Sequence, residues 1–379
     1  MKIFKSMKTR VCMLAIAAMT GAPSAQAGGG LHSEHDAHDH SASYSTNFGS
    51  NCDEIGKFCD NGCQTCQSDN GCGCNPRQWY LGVEATFLAP LYDNGAAQFG
   101  LADTFGGTGV LFNSTHDKAD ELSGAPRITL GYGGKDGIGI QGRYWELDNG
   151  VSSFGFAPAI TTGVNAGQPL GGSDSFNAYI VDLEATKEFS RGRWSLLGTF
   201  GARYAEYDRE RTDSVFGVVN GDVFSLSSQQ GSAFHGTGLT SSLAGLRPLK
   251  NHPCLSLYGS VRGSALFGQA ESSVITHSSF SGPLSNAGST NGAIGFDDET
   301  MFITELQAGL QWSRSVRSFN GRMFARAGFE YQFWNTKDQT AIAGSTSGTP
   351  GSSEGFALAR GAGNDFDLIG FNISTGFAW

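Results

Sequence analysis

The sequence feature that most constrains the fold is a run of alternating apolar and polar residues around one tight-turn signal. Residues 126–148 read PRITLGYGGKDGIGIQGRYWELD. Apolar residues recur at every second position on both sides of Asp136-Gly137, which would place them on one face of each arm if the arms are strands. The turn is Lys135-Asp136-Gly137, and Asp-Gly is a strong signal for a tight hairpin turn because both central positions need positive φ. The stretch therefore predicts an antiparallel β-hairpin with one apolar and one polar face.

The same pattern recurs to the end of the chain. Ten alternating segments follow one another from Trp79 to Trp379, and long connections alternate with short turns such as Arg191-Gly192. A third long connection contains Asn220-Gly221 and is expected to extend as a hairpin beyond the main sheet. A soluble β-sandwich would also alternate, but short periplasmic turns and long extracellular loops are typical of transmembrane β-barrels. We therefore expect an all-β, antiparallel transmembrane β-barrel of about ten strands, with twelve as the alternative if the loops hide more.

The first 27 residues have the parts of a secretory signal peptide. Basic residues from Lys2 to Arg10 precede a short apolar core, and Ala25-Gln26-Ala27 is a small-residue cleavage site. Removal of this segment leaves 21 Lys and Arg against 35 Asp and Glu, a net charge of −14. This acidic balance argues against a nucleic-acid partner. We expect a cleaved signal peptide and location in the cell outer membrane, with membrane lipid and the outer-membrane assembly machinery as partners.

Residues 28–76 form a His- and Cys-rich tail ahead of the barrel region, which covers residues 77–379. Apolar residues are scarce in the tail and show no period, so we expect it to be disordered or tied by disulfides. Its histidines alternate with aspartates and offer a candidate site for a divalent metal; these are His32, His35, His38 and His40. No other cofactor is expected.

Six cysteines lie between Cys52 and Cys74. An exported protein meets oxidising conditions, which favours disulfides, while the Cys63-x-x-Cys66 spacing also suits zinc. Cys254 lies far from the others and is expected to be unpaired within the barrel. A homo-oligomer or disulfide-linked neighbours are further candidate partners.

The polar face of the segments carries charged residues that alternation places inside the barrel. These candidate pore-lining residues are Glu84, Arg127, Arg143, Asp182, Glu184, Arg203, Arg262, Glu305, Arg326 and Glu330. In a wide barrel they would line a channel and set its ion preference, whereas in a narrow one they would pair and fill the interior. Barrels of about eight strands are filled and those of about 16–18 hold an aqueous channel, so ten strands favour a narrow or filled interior.

Three stretches carry a family resemblance: residues 125–148, residues 181–207 (VDLEATKEFSRGRWSLLGTFGARYAEY) and residues 366–379 (FDLIGFNISTGFAW). They resemble the pore-forming outer-membrane proteins of the Legionella major outer-membrane protein type, in the version common in planctomycete-like bacteria, over residues 79–379. The resemblance implies a barrel that forms pores and carries no catalytic residues. It also implies a C-terminal strand that the assembly machinery reads through Phe371, Ile373, Phe377 and Trp379.

Two classes of function follow for such a barrel. The first expectation is a porin-like channel for ions or small solutes, and the alternative is a narrow, plugged barrel with a structural or surface-anchoring role. An enzyme is not expected. An outer-membrane protease needs a His/Asp and an Asp pair at the barrel mouth, and here His116-Asp117 and Asp297-Asp298 are ordinary loop dipeptides. A lipase would have only His235 near a strand.

Overall fold

A computed structural model describes residues 78–92, 96–103, 108–114, 122–134, 137–156, 169–219, 222–250, 252–281, 286–316, 321–336, 341–348, 353–360 and 365–379. Several sequence predictions lie outside these residues. They are the signal peptide, the His/Cys-rich tail with its candidate metal ligands His32, His35, His38 and His40, and the His116-Asp117 pair.

The described residues form β-strands joined by turns. The strands are β1 (Gln78–Tyr92), β2 (Ala96–Asp103), β3 (Thr108–Ser114), β4 (Ser123–Gly133), β5 (Ile138–Phe156), β6 (Pro169–Arg191), β7 (Trp194–Val219), β8 (Asp222–Leu249), β9 (His252–Ser281), β10 (Asn286–Val316), β11 (Gly321–Asn335), β12 (Ile342–Gly348), β13 (Ser353–Arg360) and β14 (Phe366–Ala378). No helix in this part of the chain is long and apolar enough to cross a membrane.

Ten of these strands close into an antiparallel barrel. Their order is β1-β14-β11-β10-β9-β8-β7-β6-β5-β4, and β4 pairs with β1 to complete the circle. Closure gives every strand two hydrogen-bonded neighbours, which an open sheet cannot do in lipid. The all-β, ten-stranded barrel predicted from the alternating pattern is confirmed, and the alternative count of twelve is wrong.

The other four strands form a separate sheet. β2 and β3 lie in the connection from β1 to β4, and β12 and β13 lie in the connection from β11 to β14. Their order is β12-β13-β2-β3, so the two connections pair through β13 and β2. Strand formation in these connections satisfies backbone groups that a packed loop would leave without partners.

The β4–β5 hairpin has the turn that its sequence predicts. Gly137 adopts a φ of 68°, a left-handed value that favours glycine. Its N–H donates to the carbonyl oxygen of Gly134 at 3.1 Å, and the N–H of Gly134 donates to that of Ile138 at 2.8 Å. Gly192 has a similar φ of 61° in the turn between β6 and β7.

Four strands are far longer than a membrane requires. β7, β8, β9 and β10 contain 26, 28, 30 and 31 residues, whereas a transmembrane strand needs about 9–11. A tilted strand rises about 2.3 Å per residue along the barrel axis, so thirty residues span roughly 70 Å against an apolar band of about 25 Å. The excess lies at the end opposite the short turns, which is the extracellular end by the general rule for such barrels. The predicted hairpin around residues 220–221 is confirmed, since β7 and β8 pair up to Val219 and Asp222.

The four-stranded sheet packs against these long strands. A buried apolar cluster joins β2, β12 and β13 to β7, β8 and β9; its members are Phe99, Val215, Phe224, Leu226, Val274, Phe280, Ala343, Ala357 and Ala359. We call the assembly of β2, β3, β12 and β13 with the extracellular parts of β7 to β10 the extracellular platform. It has an apolar core of its own, in addition to the core of the barrel.

The outer wall of the barrel is apolar. Large hydrophobic side chains stand exposed at every second position of the barrel strands, as the alternation predicts; examples are Val83, Ile140, Leu183, Phe200, Leu239, Val261, Leu306, Phe329 and Ile373. Soluble monomers rarely expose a continuous apolar surface of this extent, so the band fits a lipid environment.

Cys254, near the start of β9, is disulfide-bonded, and its partner lies outside the described residues. This bond does not contradict the expectation that Cys254 is unpaired within the barrel, because residues 77–379 contain no second cysteine.

Candidate functional site in the barrel interior

The ten charged residues predicted from alternation all belong to the inner face of the barrel strands. Nine of them join two clusters of ion pairs, which together we call the ion network. Their side chains are largely buried, and four arginines face five carboxylates, so most of the charge is neutralised within the network. Whether they line a conducting path stays a prediction.

The larger cluster is built around two carboxylates, each of which is shared by arginines. Asp182 on β6 accepts from Arg143 Nε at 2.8 Å and from Arg203 Nε at 2.7 Å. Glu305 on β10 accepts from Arg143 Nη2 at 2.8 Å and from Arg203 Nη2 at 2.6 Å. The four side chains therefore form a closed ring of ion pairs. Arg143 donates hydrogen bonds to both carboxylates and Arg203 donates to Asp182, and such charge-assisted bonds are stronger than neutral ones, while Arg203 and Glu305 contact each other as an ion pair.

One more pair completes this cluster. Arg262 on β9 forms an ion pair with Glu184 on β6, and its Nε lies 3.9 Å from Glu305 Oε1. The cluster then contains three arginines and three carboxylates, so its net charge is zero. Neutrality matters because a buried charge without a counter-charge destabilises the fold. Removal of one partner from a buried ion pair costs roughly 3–5 kcal/mol of folding stability.

The contact between Arg143 and Glu305 spans the barrel. β5 and β10 stand five positions apart in the circle of ten strands, which makes them diametrically opposite. Their side chains nevertheless meet at 2.8 and 2.9 Å. The ion network therefore crosses the full width of the lumen instead of following its wall.

The smaller cluster lies beside the first. Arg127 on β4 pairs with Glu84 on β1, and its Nη2 lies 2.5 Å from Glu330 Oε1 on β11. Gln307 Nε2 donates to Glu330 Oε2 at 2.8 Å and to Glu84 Oε1 at 3.2 Å. Asn372 Nδ2 adds a donor to Glu330 at 3.1 Å. These neutral N–H donors thus give the two carboxylates part of the stabilisation that a second cation would give.

Arg326 is the predicted residue that does not join the ion network. It donates from Nη2 to Gln311 Oε1 at 2.8 Å, and its guanidinium lies 3.6 Å from the ring centroid of Tyr258. An arginine over an aromatic face gains a cation–π interaction. Arg326 therefore belongs to the end of the lumen near the short turns.

A layer of aromatic side chains fills the lumen on the extracellular side of the ion network. We call it the aromatic layer; its members are Trp145, Phe176, Tyr207, Phe234, Trp334 and Phe366, all within one buried apolar cluster. Ring centroids of Tyr207 and Trp334 lie 6.4 Å apart, although β7 and β11 stand on nearly opposite sides of the barrel. Phe366 bridges them, with centroids 5.1 Å from each ring.

Sequence reasoning missed the aromatic layer, although a signal for it exists. Trp145 is in phase with Arg143, Tyr207 with Arg203, and Trp334 with Glu330. Large aromatics that share the phase of inward charges predict a filled interior, because an open channel has no room for them.

The lumen is also narrowed at the end near the short turns. Tyr80 on β1 lies across Gly131 on β4, where a Cβ would approach the Tyr80 ring to 2.2 Å. Only glycine permits this close approach. The Tyr80 hydroxyl donates to Gln141 Oε1 at 2.7 Å, which holds the ring across the inner wall.

Of the residues considered for catalysis, the described part of the chain contains His235, Asp297 and Asp298. His235 stands exposed on the outer face of β8, and Asp298 lies within β10 instead of in a loop. Within the described ranges, no group of three or more His, Cys, Asp or Glu side chains is placed to hold a metal ion. What the interior residues can do is bind one another across the lumen.

A closed antiparallel barrel with an apolar outer band and short turns at one end defines an outer-membrane β-barrel, here with a filled interior. The family described as Legionella pneumophila major outer membrane protein precursor matches residues 72–377, and the chain belongs to this family. The family resemblance read from the hairpin and the closing strand is confirmed, and outer-membrane location follows at the level of the family.

Three solved structures show a distant likeness to this chain. The outer membrane protease OmpT from Escherichia coli is 12% identical, with 82% of this chain and 99% of that chain covered and a TM-score of 0.36. The attachment invasion locus protein Ail of Yersinia pestis is 11% identical, with 80% and 99% covered and a TM-score of 0.20. A FadL homologue of Pseudomonas aeruginosa is 8% identical, with 80% and 90% covered and a TM-score of 0.22. Comparison with curated proteins yields no match.

Proposed function

We propose that this protein is a closed outer-membrane barrel that holds the extracellular platform at the cell surface, rather than a constitutively open porin. The observation that carries the proposal is the contact between Arg143 and Glu305 across the diameter of the lumen at 2.8 Å. A porin of this type would instead keep its charged side chains along the wall of an aqueous channel.

The aromatic layer supports the same proposal independently. Buried aromatics from six of the ten barrel strands meet one another above the ion network. Passage of a hydrated ion would have to break both the aromatic contacts and the ion pairs. The aromatic layer and the ion network would each hinder ion passage. The same contacts would make the barrel rigid, as a membrane anchor requires.

The extracellular platform supports the second part of the proposal. Its β7 to β10 parts continue the barrel wall without a break, so a rigid barrel would hold the platform at a fixed height above the membrane. An apolar core of nine residues stabilises it. A structural or surface-presenting role needs these two properties, which are a rigid support and extension beyond the membrane surface.

Planar bilayer recording separates this role from the pore that the family resemblance implies. The purified barrel, with folding checked by its heat-dependent shift in gel mobility, is expected to insert without stepwise conductance. An established porin added to the same bilayer serves as the positive control. Regular conductance steps from the wild-type protein would contradict the closed barrel. A selectivity that moves towards cations in Arg143→Glu or Arg203→Glu would then support the porin-like channel.

A further inference from the structure

The outer wall of the barrel carries a groove at the end near the short turns. It has a volume of about 650 Å³ and is lined by side chains of β7, β8 and β9 together with the β6–β7 turn. We call it the outer groove. Its principal lining residues are Trp194, Leu196, Leu243, Gly245, Gly259 and Val261.

The strand register explains why a groove exists at this place. Gly245 on β8 pairs directly with Gly259 on β9, and both glycines occupy outward positions. The next outward pair towards the extracellular end is Leu243 with Val261, so side chains rise where the glycines leave a gap. Leu196 on β7 pairs with Gly245 and closes the groove on its third side.

The mouth of the outer groove near the short turns is basic. Arg191 lines it directly, and the guanidinium of Arg247 on β8 lies 5.8 Å from the indole centroid of Trp194 on β7. Neither arginine has an ion-pair partner within the described ranges. Arg193 lies in the β6–β7 turn, and Lys250 lies in the β8–β9 turn.

Acidic residues are missing from the sequence around this basic mouth. No Asp or Glu occurs between residues 189 and 205, or between residues 223 and 270. The surface therefore joins an apolar slot, which faces the hydrocarbon, to a positive patch at the height of the head groups of the periplasmic leaflet. Arginine is well suited to bind phosphate oxygens at such an interface.

We propose that the outer groove is a binding site for one anionic phospholipid of the periplasmic leaflet. An acyl chain would lie in the slot over Gly259, beside the Leu196 and Trp194 side chains that cover Gly245, and the phosphate would accept hydrogen bonds from Arg191 and Arg247. Trp194 would stand between the two regions, as interfacial tryptophans do. The positive charge of the patch favours a lipid over a second copy of this chain, because the basic patches of two copies would repel each other.

The test is native mass spectrometry of the full-length folded barrel released from mixed vesicles of phosphatidylethanolamine and phosphatidylglycerol. Wild type is expected to retain one phosphatidylglycerol. The double variant Arg191→Gln with Arg247→Gln should retain about tenfold less, because each lost arginine removes a charge-assisted hydrogen bond. Arg314→Gln is the matched control, since Arg314 is another exposed arginine near the short turns, on β10 and away from the groove.

A second variant fills the slot without touching the charges. Gly259→Leu is suited to this, because a Cβ at Gly259 meets nothing nearer than 3.8 Å, and it should also lose the retained lipid. Equal retention in the double variant and in Arg314→Gln would overturn the proposal, as would equal retention of the two lipids by wild type. A dimer that Gly259→Leu dissolves would assign the groove to a second copy instead.

Discussion

Glu305 is the residue whose loss should most disturb the barrel interior. Its side chain is 4% exposed and contacts Arg143 and Arg203 at 2.8 and 2.6 Å. Glu305→Gln keeps the shape but leaves three arginines with two carboxylates, a net charge of +1 in the larger cluster. The new amide NH₂ would also face guanidinium N–H groups, so donor would meet donor.

The size of this effect follows from burial. Removal of one partner from a buried ion pair costs about 3–5 kcal/mol, because the remaining charge has neither water nor a counter-charge. The assay is guanidinium-induced unfolding in lipid vesicles, followed by fluorescence of buried tryptophans such as Trp145 and Trp334. The midpoint should fall with an unchanged slope.

Two comparisons make the reasoning refutable. Glu354→Gln removes the same charge from an exposed position on β13 and should change stability by no more than about 0.5 kcal/mol. Arg203→Met combined with Glu305→Leu removes one charge of each sign, and it should recover most of the loss because Asp182 keeps Arg143 at 2.8 Å. If Glu305→Gln proved as stable as Glu354→Gln, or the double variant less stable than Glu305→Gln, the neutral-cluster argument would fail.

Three further predictions concern the wall, the closing strand and the cysteines. Leu183→Arg, at a 55% exposed position on the lipid-facing wall, should destabilise the folded barrel by about 2–4 kcal/mol, whereas Ile294→Arg beyond the apolar band should be nearly neutral in the same unfolding assay. Trp379→Asp should lower surface levels measured by protease shaving, because it places a charge at the end of the closing strand and removes a ring that stacks on Phe377 with centroids 5.7 Å apart; normal levels would contradict this, and Trp379→Phe is the control. Exported protein should show no free thiol at Cys254 before reduction, and one free thiol among the six cysteines of residues 52–74 unless a second chain supplies its partner, because the cleaved chain keeps seven cysteines; labelling of all six tail cysteines would instead support a metal site or a reduced tail.

The barrel itself was predictable because its cause is local. Alternation of apolar and polar residues has a period of two, and turn residues such as Gly137 and Gly192 mark where strands reverse. These signals also assigned residues such as Arg143 and Glu305 to the inner face, since face depends only on phase. The platform strands β2, β3, β12 and β13 were harder to predict. The pairing of β13 with β2 joins residues more than two hundred positions apart, and no local pattern specifies such a partner.

What only the tertiary structure decided is which inward side chains meet one another across the lumen. The sequence places Arg143 and Glu305 inside but leaves open whether they line a channel or meet across it, and that depends on barrel diameter. Ten strands bring β5 and β10 close enough for the two side chains to pair at 2.8 Å. The same short diameter lets Trp334, Phe366 and Tyr207 stack from different strands into one layer. Strand number and closure are properties of the whole sheet, so the alternating pattern determines the wall of this protein while the closed sheet determines its interior.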